Sequence, residues 1–165
     1  MNIRTGDTDV IVLAVNVRAR LETIEELNIH FGTGKHFKMF DAVLISKSIG
    51  DKNSLALPLF HSLTGCDTVS GFSGKGKKTA WTVWKIYPKL TKIIIQINDN
   101  PASIHENEVM KHVERFVVLL YERTSDFWSV NETRRKLFSH KSGIENIPPS
   151  FNALLQHVKR AVFQG

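Results

Sequence analysis

A short stretch rich in glycine and lysine holds the residue types best suited to binding a phosphate group. Glycine lets the backbone approach a ligand closely, and a helix beginning there would offer amide groups and a positive dipole. Such a turn grips one nucleic-acid strand without reading bases. The alternative is a turn that merely connects two helices. The candidate binding residues are Gly71, Ser73, Gly74, Lys75, Gly76, Lys77, Lys78 and Thr79.

Basic residues concentrate around this stretch and again near the end of the chain. Residues 68–98 contain six lysines and no acidic residue, and the net charge of the chain is +6. A basic surface of this kind fits a polyanion such as nucleic acid, although a solvated lysine-rich face would have the same composition. For the second block, which contains Arg134, Arg135 and Lys136 with Lys141, we favour the solvated face.

The residues on both sides of the turn add a more specific pattern. Gly65-Cys66-Asp67 precedes it and Ala80 follows Thr79. The whole pattern resembles the helix-two-turn-helix (a helix-hairpin-helix) of the flap-endonuclease and XPG-like 5′ nucleases, members of the PIN-like superfamily. From Asp7 to the end, the chain is similar to an uncharacterised, mobile-element-associated group of PIN-like proteins. The resemblance implies a duplex or branched DNA partner and, as in some members, K⁺ held at the hairpin by backbone carbonyls.

Three aspartates extend the resemblance to a metal site. Gly6-Asp7-Thr8-Asp9 resembles the Asp-Xaa-Asp of these nucleases, and Asp67 matches a further metal-ligand aspartate. The resemblance therefore implies Mg²⁺ bound by Asp7, Asp9 and Asp67. Mg²⁺ prefers carboxylate oxygens, and two such ions can activate water and stabilise the leaving oxygen in phosphodiester hydrolysis. The alternative is that Asp7 or Asp9 caps a helix.

The chain departs from the family pattern before Asp7. The complete nucleases carry additional acidic ligands upstream, whereas six residues precede Asp7 here. Three carboxylates hold a two-metal site poorly, because mutual repulsion and missing ligands both weaken binding. We therefore expect a fragment whose isolated chain is inactive. Three hypotheses follow: a fragment of a structure-selective, Mg²⁺-dependent nuclease, a non-catalytic DNA-binding module, or a helical interaction module in which both motifs are relics.

The remaining chemistry-bearing residues exclude several classes of site. The single cysteine, Cys66, rules out an internal disulfide and suits a reducing compartment, and the histidines lack zinc-ligand spacing. Asp7 and Asp9 argue against a secretory signal, and no apolar run approaches the roughly 20 residues that span a bilayer. We expect a nuclear or cytoplasmic protein that does not associate with membranes.

The elements that position these residues are predicted to be mostly helical. The expected fold is α/β: the C-terminal part of a PIN-like nuclease fold, with a small sheet, the helix-hairpin-helix and further helices. A short strand at residues 3–5 and a hairpin over residues 27–31 and 36–40 form the sheet, whereas residues 10–15 fit a strand or a helix equally. Helices are predicted over residues 42–49, 53–63, 77–86 and 90–97, after a capping box at 103–106, and after Pro148-Pro149.

These elements suggest three segments along the chain. Residues 1–50 form a partial PIN-like α/β segment, residues 51–97 the helix-hairpin-helix segment, and residues 98–165 a helical extension.

Overall fold

The computed structural model describes residues 1–21, 23–140 and 143–165. Over these ranges the chain is mostly helical with one three-stranded sheet, which confirms the predicted mostly helical α/β class. It forms two compact units, Met1–Pro58 and Leu59–Gly165. Their boundary falls inside a helix, whereas the three predicted segments followed the predicted elements. Among the described helices, none is long and apolar enough to cross a membrane.

The first unit contains the sheet. Strand β1 (Asn2–Thr5) pairs in parallel with β2 (Asn28–Phe31) through Ile3 and Ile29, and β2 pairs antiparallel with β3 (Lys38–Asp41) through Ile29 and Phe40. The predicted first strand and hairpin are therefore confirmed, with a 3₁₀ helix at Gly34–His36 inside the hairpin. The elements of this unit are β1 (Asn2–Thr5), α1 (Thr8–Arg20), β2 (Asn28–Phe31), β3 (Lys38–Asp41), α2 (Ala42–Ile49) and the start of α3 (Asp51–Leu63).

Helix α1 settles the ambiguity of residues 10–15 in favour of a helix. Its N-terminus is capped by Asp7, whose carboxylate accepts a hydrogen bond from the amide of Asp9 at 2.9 Å. The crossover from β1 to the parallel β2 also requires an element of this length between them. Val15 packs in the core of this unit with Leu27, Ile29 and Ala42. Helix α2 ends at Gly50, which has a φ of +83°, as its sequence predicted.

A proline inside α3 explains a buried asparagine on α1. Pro58 has no amide hydrogen, so the carbonyl of Ser54 loses its usual donor one turn later. The side-chain amide of Asn16 donates to that carbonyl at 3.3 Å and to the carbonyl of Leu55 at 3.1 Å. Asn16 thereby connects α1 to the interrupted part of α3.

The second unit is built around α6 (Asn107–Tyr121). Phe116, Val113 and Val117 are almost completely buried along this helix. Phe60 stacks on Trp84 with 4.1 Å between ring centroids, and the indole of Trp84 donates to Thr91 at 2.8 Å, so Trp84 belongs to the core. The helices of this unit, besides the end of α3, are α4 (Lys77–Ile86), α5 (Lys89–Asp99), α6 (Asn107–Tyr121), α7 (Val130–Ser139) and α8 (Phe151–Gln164).

Two details differ from the sequence prediction. The capping box at residues 103–106 is wrong: a 3₁₀ helix at Pro101–His105 occupies that stretch, and α6 begins after Glu106 without a side-chain cap among the described residues. Helix α7 was not predicted, because its charged sequence lacks a continuous apolar stripe. Its start is held from outside, since the Glu114 carboxylate accepts a hydrogen bond from the Val130 amide at 2.9 Å.

Candidate nucleic-acid interface

Two tight turns connect α3 to α4. The amide of Cys66 donates to the carbonyl of Val69 at 2.8 Å, and the amide of Lys75 donates to the carbonyl of Phe72 at 3.0 Å. Val69 and Phe72 are buried, with 4% and 8% exposure, and they anchor the connection to the core of the second unit. Residues 71–79, which we call the glycine–lysine turn, otherwise lie mostly at the surface.

Glycine is required at two points by close contact within the connection itself. Gly65 has a φ of +107°, and a Cβ there would lie 2.8 Å from the Cα of Gly71. A Cβ on Gly71 would lie 2.9 Å from the carbonyl oxygen of Thr64. These two glycines therefore serve backbone packing, whereas a Cβ on Gly76 would meet nothing within 4 Å.

The N-terminus of α4 presents backbone amides at the end of the turn. Gly76 is its N-cap and supplies no side-chain cap. The first intrahelical hydrogen bond runs from the Ala80 amide to the Gly76 carbonyl at 3.1 Å. The amides of Lys78 and Thr79 precede it and have no intrahelical acceptor. This end of α4 can thus accept an anion.

The three lysines of the turn have different surroundings. The ammonium of Lys77 reaches back to the C-terminal end of α3, donating to the His61 carbonyl at 2.9 Å and also to the Gly65 carbonyl. Lys75 lies over the ring of Tyr121, 5.1 Å from its centroid. Lys78 is exposed. Lys77 therefore stabilises the helix pair, and a K⁺ ion on those carbonyls would have to displace its ammonium.

The predicted binding residues thus fall into two groups. Lys78 and the amides at the start of α4 face solvent. The ammonium of Lys77 donates to carbonyls at the end of α3, and its predicted phosphate contact stays a prediction. The predicted residues that lie exposed in the turn are Gly71, Ser73, Gly74, Gly76, Lys77 and Lys78, and those that are half-buried are Lys75 and Thr79.

The predicted metal ligands are distributed over both compact units. Asp7 and Asp9 belong to the first unit, where Asp7 caps α1. Asp67 belongs to the second unit, where it is exposed within the first of the two turns. Within the described ranges, no three His, Cys, Asp or Glu side chains are grouped so that they could hold a metal ion. The assignment of Mg²⁺ to these aspartates stays a prediction.

A cleft beside the turn was not predicted from the sequence. We call it the arginine cleft; it has a volume of about 750 Å³ and lies between residues 70–73, α7 and α8. Arg134, Arg135 and Arg160 line it together with Phe138 and His157. Of the residues for which a solvated face was favoured, Arg135 is exposed, Arg134 donates to the Pro148 carbonyl and Lys136 pairs with Glu122. Lys141 lies outside the described residues.

His157 is the most buried polar residue of the cleft. Its Nε2 lies 2.7 Å from the Leu63 carbonyl oxygen and must carry the hydrogen, because a carbonyl can only accept. Its ring lies against Phe72, 4.9 Å between centroids. Burial lowers the pKa of His157 below the usual 6.5, the bond to Leu63 raises it, and Arg160 lowers it further. In the sequence, His157 lies among the apolar residues of α8, and nothing in that pattern indicates that it lines a cleft.

Comparison with protein-family models, with curated proteins and with solved structures gave no match for this chain.

Proposed function

We propose that the chain binds the sugar–phosphate backbone of duplex or branched DNA through the glycine–lysine turn, and that it derives from the nucleic-acid-binding part of PIN-like 5′ nucleases. The observation that carries the proposal is the uncapped N-terminus of α4, exposed beside Lys75 and Lys78. Backbone amides and lysines at one point bind phosphate oxygens without sequence preference.

Two further features support this proposal. Buried Val69 and Phe72 hold the connection in place, so the turn does not need to be ordered on binding. The segment from residue 68 to residue 98 contains no carboxylate that would repel a phosphate. The opposing feature is Lys77, whose ammonium is used within the protein, so the proposed grip relies on Lys75, Lys78 and the amides.

The decisive measurement is the salt dependence of DNA binding. Fluorescence anisotropy with a labelled duplex and a labelled flap substrate would compare the parent chain with a Lys75→Ala/Lys78→Ala variant. Each lost phosphate contact should reduce the slope of log K against log[salt] by about 0.9, so the double variant should lose about 1.8.

The matched control is Lys89→Ala/Lys92→Ala, which removes two exposed lysines from the same acid-free segment. It has the same net charge as the test variant but leaves the turn intact, and it should retain most of the parent slope. Equal slopes in the parent and the test variant would reject the proposed grip.

The same DNA substrates address catalysis. We expect no cleavage of the flap substrate by the isolated chain with Mg²⁺, because a pair of metal ions needs more ligands than Asp7, Asp9 and Asp67 supply. Cleavage that is lost in Asp67→Ala would instead assign this chain a hydrolytic activity.

A further inference from the structure

The arginine cleft has the size and lining of a small-molecule site. Its volume of about 750 Å³ falls within the usual range for ligand pockets, and every residue that defines it belongs to the second unit. Arginines are combined there with aromatic and proline side chains, and no carboxylate is among the described lining residues. A ligand that combines an anionic group with a flat aromatic ring matches this lining.

The arginines of the cleft differ in their availability. Arg134 is held by the Pro148 carbonyl and so forms part of the wall. Arg135 and Arg160 are exposed, come from α7 and α8, and pair with no carboxylate of the described chain. Guanidinium groups on two helices can bind one phosphate group from two sides, with paired hydrogen bonds from each fork.

An exposed aromatic side chain lies beside these arginines. Phe138 lines the cleft and is 75% exposed, which is unusual for a phenylalanine. Exposed aromatic rings beside positive charge serve as stacking platforms for bases, and each stacked base contributes about 1–3 kcal/mol. The hydroxyls of Ser70 and Ser73, which also line the cleft, can donate or accept hydrogen bonds.

We propose that the arginine cleft binds a single unpaired nucleotide, with its base on Phe138 and its phosphate on Arg135 and Arg160. The ligand is a nucleoside monophosphate, either free or at the end of a single strand. This inference goes beyond the backbone grip and does not depend on it, because a mononucleotide requires neither Lys75 nor Lys78.

Isothermal titration of the full chain with AMP, adenosine and inorganic phosphate tests the proposal. AMP should bind more tightly than adenosine or phosphate alone. Arg135→Ala/Arg160→Ala should weaken AMP binding by about tenfold or more, and Phe138→Ala should weaken AMP but not phosphate. A 5′-phosphorylated trideoxynucleotide, titrated in parallel, shows whether a strand end binds better than the free nucleotide.

The chain offers matched controls for both substitutions. Phe163→Ala removes a phenylalanine that is 94% exposed on α8 and does not line this cleft, and Lys159→Ala removes the cation next to Arg160. Both should leave AMP binding unchanged. Because the test residues are exposed, their variants should fold, which a thermal melt would check.

Three results would overturn the proposal. These are AMP binding no tighter than phosphate, AMP binding unaffected by Phe138→Ala, and tighter binding of a hexaglutamate peptide than of the trideoxynucleotide. The last result would assign the cleft to acidic peptides. If Lys75→Ala/Lys78→Ala reduces the salt dependence of duplex binding but still binds AMP, the two proposed sites are separate.

Discussion

At the scale of single residues, the same residue type serves different purposes within a few positions. Lys77 and Lys78 are neighbours, yet one ammonium caps the carbonyls of α3 and the other faces solvent. Gly65 is required by backbone contact, whereas Gly76 has open space around it. Substitutions at these positions should therefore separate stability from binding.

Gly76→Asp should weaken DNA binding while leaving the protein at least as stable. The backbone at Gly76 is extended with a φ of −77°, and a side chain there meets no neighbour. An aspartate would accept hydrogen bonds from the α4 amides, adding a few tenths of a kcal/mol, and would place a negative charge at the proposed phosphate position. We expect DNA binding to weaken by about tenfold or more, or about 1.4 kcal/mol.

Anisotropy and a thermal melt measure these two effects. Gly76→Ala is the control, since it adds a Cβ without charge and leaves the amides open. The prediction fails if Gly76→Asp binds DNA like the parent.

His157 should make stability depend on pH. Burial lowers its pKa in the folded state below the usual 6.5, so the unfolded chain binds more protons between the two values. The stability that neutral His157 contributes is present in full above about pH 6.5. It is lost as the pH falls towards the pKa of the folded state. His157→Gln, whose amide can still donate to Leu63, should flatten this dependence.

Urea unfolding at pH 8 and pH 5 would measure the effect. Burial also lowers the pKa of His112. Because His112 is present in both proteins, its effect on stability cancels in the comparison. An equal loss of stability at pH 5 in both proteins would contradict the prediction.

At the scale of elements, the helix ends were the most predictable features and the irregular contacts the least. Helices α2 and α4 have the predicted bounds because Gly50 and Tyr87-Pro88 end them. The predicted capping box is wrong because a 3₁₀ helix occupies those residues, and α7 was missed because its charged sequence lacks a continuous apolar stripe.

The proline in α3 gives a test at this scale. Asn16→Ala should lower the unfolding free energy by about 1–3 kcal/mol, because the carbonyl of buried Ser54 loses its side-chain donor. Pro58→Ala would supply a backbone amide to that carbonyl. The loss caused by Asn16→Ala should therefore be smaller in the Pro58→Ala background.

A double-mutant cycle by urea unfolding measures the coupling between the two sites. Strictly additive effects would show that Asn16 does not compensate for the proline.

At the scale of the whole molecule, two compact units each have a core of their own. In the second unit α6 is buried along most of its length, and Phe116 contacts the ring of Phe60 at 6.1 Å between centroids. This core supports both the glycine–lysine turn and the arginine cleft, so its loss should affect both proposed functions together.

Phe116→Ala should lower the unfolding free energy by about 3–5 kcal/mol, because it leaves a cavity in a fully buried site. Phe138→Ala, at an exposed position, should change it by less than about 0.5 kcal/mol. Chemical unfolding measures both. Similar losses in the two variants would contradict this description of the core.

The sequence alone determined the helical class, the small sheet, most helix bounds and the exposed turn, because these follow from local periodicity, glycine and proline. Tertiary structure decided the helical state of residues 10–15, the role of Lys77 and the arginine cleft. Each of these three features depends on groups that are distant in sequence. Helix α1 must cross between parallel strands, and Lys77 donates to carbonyls 12 and 16 positions away. The cleft brings residues 70–73 together with Arg160. Such contacts leave no periodic signal, because they form only when separate elements pack together.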